Sequence, residues 1–225
     1  MKNRLKSIAA PKTWQIKRKK SIWIVKPKGP HKTENSLAIA TLLREYLRHA
    51  KTSREIKNII YYKQVLIDGR KVKKINESAG IMDIIEIPDL KEKYVMTINS
   101  RGKLALQKTE LSFKIAKIIG KKTQGKTTQL NLFGGKNILV EKDEYKVGDT
   151  VLLNLKDLKI KEHLKFAEGM NCLLLGGSHI GEVGIIKKID GNKIILTSDS
   201  GNDFETLKKF VYIVGKEKPL IKGEK

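Results

Sequence analysis

The chain has 225 residues, 40% of them hydrophobic, enough for one large domain or two to three small ones. Lysine plus arginine number 47 against 24 aspartate plus glutamate, and a formal net charge of +23 points to a polyanionic partner. A nucleic acid fits better than a membrane: no long basic amphipathic helix with an aromatic apolar face is visible, and no apolar run approaches the ~18 residues that span a bilayer.

The N-terminus lacks the apolar core of a signal peptide, and Pro11, Trp14, Pro27 and Pro30 fit a transit-peptide helix badly. A single cysteine, Cys172, rules out an internal disulfide and a cysteine-based zinc site; within Met170–Leu175 it reads as a buried thiol. His31, His49, His163 and His179 show no metal-ligand spacing, and the carboxylates are scattered. A cytosolic protein is expected, with no catalytic, cofactor or metal site and no small-molecule substrate.

Residues 1–33 carry 11 basic residues and no acidic one, so 1–35 is expected to be an extended arm that orders on a polyanion. Its candidate RNA contacts are Lys2, Arg4, Lys6 and Lys12, then Lys17, Arg18, Lys19 and Lys20. Trp14, also a candidate contact, and Trp23 give it apolar anchors.

Residues 36–90 predict two short helices and a β-hairpin. Ile39, Leu42, Leu43, Tyr46, Leu47 and Ala50 form one helical stripe, with Arg44 and Arg48 a turn apart on another face. Thr52 and Glu55 form a capping-box signature opening a second helix with Ile56, Ile59 and Ile60. Asp68-Gly69, between Val65-Leu66-Ile67 and Val72, predicts a type I′ turn, and Ile81–Ile85 a returning strand. Lys51, Arg54, Lys57, Lys63, Arg70 and Lys71 are the candidate RNA contacts here. The order of elements resembles the small helical RNA-binding module named after bacterial ribosomal protein S-four. The match runs through Thr52-Ser53-Arg54-Glu55, Val65–Val72 and Gly80–Ile84, with Lys63 where that module usually carries glycine.

Residues 94–166 switch to a period of two and predict a mostly-β barrel. Tyr94–Ile98 and Leu104–Leu106 flank a hairpin loop, Leu130 and Leu132 face Ile138 and Val140 across Gly134-Gly135, and Gly148-Asp149 bends into an apolar strand. Within this region Gly120-Lys121-Lys122-Thr123-Gln124-Gly125-Lys126-Thr127 matches the phosphate-binding P-loop pattern. That motif works only between a strand and a helix N-terminus. Thr128–Phe133 alternates as a strand does, so a basic loop offering Lys121, Lys122 and Lys126 to phosphates is the stronger reading.

Residues 167–215 predict a second small barrel, ahead of a loose tail at 216–225. Its strand–Gly-Gly-x-His-Ile-Gly-x-x-Gly–strand pattern at Gly176–Gly184 resembles the KOW motif of ribosomal and transcription proteins. Gly176, Gly177, His179 and Gly181 are its candidate RNA contacts. The expected fold class is multidomain α+β: a helical RNA-binding module followed by two mostly-β small barrels, the last with a KOW motif.

Taken in order, Leu5–Trp14, the 36–87 module, Gln129–Leu132 with Asn137–Val140, Ile160–Leu164, the KOW stretch and Phe204-Glu205-Thr206 resemble the archaeal and eukaryotic small-subunit ribosomal protein S-four-e family. The likeness covers nearly the whole chain and, given its compactness, an archaeal member. It implies a non-catalytic ribosome component in the cytoplasm. Its implied partners are small-subunit ribosomal RNA, specifically the 5′ domain, and neighbouring ribosomal proteins. The alternatives are an RNA-modifying enzyme docking through the same helical module, or a transient RNA-binding accessory factor. The former lacks here the Gly-Arg-Leu-Asp-type context of the pseudouridine synthases, since Asp68-Gly69-Arg70 is a turn.

Overall fold

The computed structural model describes residues 4–125, 127–141, 143–155, 157–198, 201–216 and 220. Contacts divide the chain into two compact units: Met1–Thr97 with Lys103–Leu111, and Ile98–Gly102 with Ser112–Lys225.

In the first unit the basic leader is folded, which corrects the expected extended arm for its described residues. Strands β1 (Arg4–Lys6) and β2 (Trp23–Val25) pair antiparallel, with Leu5 opposite Ile24. The intervening loop is held by Arg18, whose guanidinium donates to the carbonyls of Ser7, Ile8, Ala10 and Pro11 at 3.4, 3.2, 2.6 and 2.7 Å. Neutral carbonyl dipoles thus solvate a cation for which the segment offers no carboxylate, without cancelling its charge. Trp14 is 2% exposed and its indole N–H donates to Thr33 O at 3.1 Å.

Strand β3 (Ser36–Ala38) leads into helix α1 (Ile39–Thr41), continued by one π-helical turn over Leu42–Tyr46. The helix expected to reach Ala50 therefore stops early. Leu47 N–H reaches back to Leu42 O at 3.0 Å, and Arg48 adopts φ 57°, which reverses the chain. The stripe reported burial correctly, for Ala50 is buried, but not helix. Tyr46 is held from outside the helix: its hydroxyl accepts Gln15 N–H at 2.9 Å, and burial pushes the phenol up to about 12.

Helix α2 (Ser53–Tyr62) forms as its capping box predicts. Thr52 Oγ1 accepts Glu55 N–H at 3.2 Å, and Glu55 Oε2 accepts the N–H groups of Lys51 (2.8 Å) and Thr52 (3.4 Å). Those bonds hold the Glu55 carboxyl below its ordinary range. Ile56 and Ile60 are buried. The helix closes at Lys63 with Gln64, not Lys63, in the left-handed conformation (φ 50°), so Lys63 needs no glycine.

Strands β4 (Leu66–Ile67) and β5 (Arg70–Lys71) meet at Asp68-Gly69, both with positive φ (49° and 75°), the expected type I′ turn. Asp68 is buried and its carboxylate accepts Ile84 N–H at 3.0 Å. The strand expected from Ile81 begins later. Strand β6 (Ser78–Gly80) pairs with β3, Met82 turns the chain at φ 67°, and only β7 (Ile84–Ile87) returns beside β4. Asp83 holds that turn by accepting Gly80 N–H at 2.7 Å, with His31 Nε2 at 3.0 Å.

After a 3-10 turn at Pro88–Leu90, strand β8 (Glu92–Ile98) pairs with β7, with Ile84 opposite Val95, and β9 (Leu104–Lys108) lies beyond it. The strands expected to open the central barrel instead complete the sheet order β5-β4-β7-β8-β9.

The second unit holds two five-stranded antiparallel sheets. The first comprises β10 (Phe113–Gln124), β11 (Thr127–Leu132), β12 (Asn137–Val140), β13 (Thr150–Asn154) and β14 (Ile160–Leu164), ordered β12-β11-β10-β13-β14. Leu130 pairs with Ile138 as expected, and Ala116, Ile118, Leu130, Leu132, Val151 and Leu153 form the core. The second comprises β15 (Asn171–Leu174), β16 (Val183–Asp190), β17 (Lys193–Ser198), β18 (Asp203–Leu207) and β19 (Val211–Gly215), ordered β18-β17-β16-β15-β19. Its core includes Cys172, whose thiol burial pushes up to about 12.

Tyr212 and Lys117 both bridge these sheets. The buried Tyr212 hydroxyl of β19 donates to Ile115 O (2.9 Å) and accepts Lys117 N–H (3.0 Å), both on β10. Lys117 Nζ in turn donates to the carbonyls of Lys208, Lys209 and Val211 at 3.3, 3.3 and 2.6 Å.

Candidate nucleic-acid interface

Within the first unit, the folded leader, α2 and the chain after β5 enclose an open cleft of about 1650 Å³. Six cations line it: Arg4 and Lys28 from the leader, Lys57 from α2, Lys71 at the end of β5, and Lys73 and Lys74 just beyond it. The acidic residue in the lining, Glu77, is committed to its own backbone, accepting the N–H groups of Lys73 and Lys74 at 2.9 Å each. That carboxylate fixes the turn from which the two lysines project.

The leader forms a wall because it is stitched to the module. Lys28 N–H donates to Asn76 O at 2.7 Å, and Ser78 N–H to Lys28 O at 3.3 Å. The approach is so close that a Cβ on Gly29 would overlap Ser78 Oγ. The opposite wall follows from helical spacing: Ile56 and Ile60 face the core, and Lys57 with Tyr61, and Asn58 with Tyr62, lie one turn apart on the outer face. Tyr61 and Tyr62 are 75% and 74% exposed, their rings perpendicular (84°) with centroids 5.0 Å apart.

Of the residues singled out from sequence, the cleft gathers Arg4, Lys57 and Lys71. Lys6, Lys12, Lys17, Lys19, Lys20, Lys51, Arg54, Lys63 and Arg70 are exposed elsewhere on the unit. Trp14 and Arg18 are corrected, since both are engaged in folding the leader. Arg44 and Arg48 do not share a helical face: Arg44 pairs with Glu45 at 3.0 Å and Arg48 lies past the helix. Lys28, Lys73, Lys74, Tyr61 and Tyr62 were missed. Two aromatics off the apolar stripe of an amphipathic helix were the signal available for the tyrosines.

In the second unit the P-loop match is a β-hairpin, with Gln124 opposite Thr127 across the β10–β11 turn. Strand β11 stands where a phosphate-binding loop requires a helix N-terminus. Lys121 is tied to Tyr145 O at 2.6 Å and to Asp143, while Lys122 is exposed. Lys126, like Lys2, lies outside the described residues.

The glycine-rich loop serves packing as much as access. A Cβ on Gly176 would sit 2.5 Å from the Phe210 ring, and buried Gly181 (φ 81°) spends its N–H on Leu174 O. Gly177 is exposed. His179 is stacked on Phe204 (4.2 Å, 21°), with Glu182 Oε2 3.2 Å from its Nδ1.

Residues 90–160 match the ribosomal family S4e, and residues 1–34 match the RS4NT (NUC023) domain. The small ribosomal subunit protein eS4 of Methanosphaera stadtmanae is 40% identical over 228 residues, covering 96% of this chain and 94% of that protein. That of Methanocella arvoryzae is 37% identical over 232 residues, covering 99% and 98%. The crystal structure of the 30S ribosomal protein S4e from Thermoplasma acidophilum superposes with a TM-score of 0.70 at 28% identity, covering 83% of this chain and 99% of that one. With a leader, a central region and a fold shared at these levels over nearly its whole length, the chain belongs to the S4e family of ribosomal proteins.

Proposed function

We propose that this chain is a structural, non-catalytic constituent of the small ribosomal subunit of the cytoplasm, and that the first unit's cleft is where it grips ribosomal RNA. The observation that carries the assignment of the surface is its charge. Six cations from three chain segments converge on one concavity whose lining carboxylate is occupied with its own backbone. Cations on pre-folded walls neutralise phosphates along a strand and release condensed counterions. Exposed Arg54, Lys63 and Arg70 extend the basic surface beyond the cleft.

The second unit adds subsidiary contacts. The β15–β16 connection with Gly177 and His179 acts in the manner of a KOW-type loop, and Lys122 presents a phosphate contact on the β10–β11 hairpin. The family resemblance points to the 5′ domain of the RNA and to neighbouring ribosomal proteins; hydroxyl-radical footprints confined to other domains would reject that placement.

The test is the salt dependence of binding between the full chain and small-subunit ribosomal RNA. Six phosphates engaged in the cleft give a log–log slope of about −4 or steeper. Replacing Lys73 and Lys74 with Gln flattens the slope by about 1.5. A shallow wild-type slope, or one indifferent to those substitutions, removes the cleft from the interface.

A further inference from the structure

We propose that Tyr61 and Tyr62 receive an unstacked nucleobase, so that the cleft selects RNA in which a nucleotide leaves the helix at a bulge or loop. The inference rests on reading the cleft as an RNA-binding surface and adds what kind of RNA it takes.

Two large aromatic rings lie side by side at about three-quarters exposure in a cleft lined by six cations. They are not surplus core, because α2 already buries Ile56 and Ile60 on the opposite side. Their perpendicular contact braces each ring against the other. Perpendicular rings cannot both lie parallel to the same base. The pair therefore offers one stacking platform with an edge beside it, a seat for a single base.

A continuous A-form duplex cannot use that seat. It presents phosphates and 2′-hydroxyls outward while neighbours cover the faces of its bases. An extruded base has a free face for the ring, and its flanking phosphates meet the surrounding lysines and arginine. Asn58, one turn before Tyr62 on the same helical face, supplies an amide able to hydrogen-bond a base edge. Charge complementarity decides for RNA over a protein partner: an apolar protein anchor gains nothing from the six surrounding cations.

The experiment uses the full chain and two short hairpin RNAs, one with a single bulged 2-aminopurine and one fully paired. The wild type is expected to bind the bulged hairpin about tenfold more tightly, which at 1.4 kcal/mol per decade is within the range of base–aromatic stacking. Fluorescence of the bulged base is quenched on binding. Replacing both tyrosines with Ala abolishes the preference and the quenching. Replacing both with Phe retains the preference.

Equal wild-type affinity for the two hairpins, or a preference that survives the Ala variant, overturns the inference and leaves the rings to a protein neighbour. Lys57→Glu with Lys73→Glu separates the two levels. If the reversal weakens both RNAs while the tyrosine variants change nothing, only the stacking inference is lost. If the reversal leaves both affinities untouched, or if the wild type binds neither RNA, the cleft reading fails and takes the inference with it.

Discussion

Tyr212→Phe removes one oxygen and tests how the two sheets of the second unit are joined. Residues 113–117 of β10 pair with β13 on one side, and pairing with β11 begins only at Ile118. Between those registers the Tyr212 hydroxyl bonds both Ile115 O and Lys117 N–H. Phenylalanine keeps the ring and its edge-on contact with Phe133 (5.7 Å, 82°) but leaves two backbone groups without this partner. A buried group losing its partner costs about 1–3 kcal/mol, so two cost about 2–6, and entry of a water reduces the loss towards the lower figure. The assay is native-state hydrogen exchange at the Lys117 amide together with urea unfolding of the second unit. The variant should unfold with a loss of about 2–4 kcal/mol and exchange faster at Lys117. A loss below about 0.5 kcal/mol with unchanged Lys117 protection would refute the claim that this hydroxyl caps the strand edge.

Thr52→Ala removes the cap of α2 and should cost about 1 kcal/mol in urea unfolding of the first unit, with Thr52→Ser restoring most of it. Burial, and then neighbouring Lys208, push the Lys117 amine down to about 8, against the pull of the carbonyls that accept its protons. A lysine with a lowered folded pKa binds fewer protons folded than unfolded, so wild-type stability should rise from about pH 8 to 10.5. Lys117→Met should lack that rise, and identical pH profiles would dismiss it. Arg18→Lys should loosen the leader, because a compact ammonium cannot span four carbonyls as a planar guanidinium does. Faster amide exchange across residues 7–18, with reduced RNA affinity and an unchanged salt slope, is the expected signature.

What was legible in the sequence was whatever local chemistry specifies alone. Thr52 with Glu55 fixed a helix start, and Asp68-Gly69 fixed a turn, because cap and positive φ are satisfied within a few residues. The strands around Gly134-Gly135 and Gly148-Asp149 were legible for the same reason. What failed depended on distant partners. The stripe from Ile39 to Ala50 reports burial, but the helix is ended at Tyr46, whose hydroxyl is held by Gln15, 31 residues earlier. Periodicity identified Tyr94–Ile98 as a strand yet could not say which sheet it joins. The cleft was hardest of all: Arg4, Lys28, Lys57 and Lys73 meet only because the leader docks on residues 76–78.

That docking changes how the charge should be counted. A leader with 11 cations and no acid, left extended, would add an ordering cost of about 1–2 kcal/mol per residue to every RNA-binding event. Folded beforehand, it contributes Arg4 and Lys28 to the cleft without that cost, the ordering having been met by Arg18, Trp14 and the β1–β2 pair. Arg18 is therefore a cation whose N–H donors are spent inside the protein. The same reasoning applies to Lys117 and Lys121, whose amines are held by carbonyls in the second unit. A formal charge of +23 overstates the number of phosphates the chain can neutralise, and the salt slope is set by the cations left projecting into the cleft and beyond it.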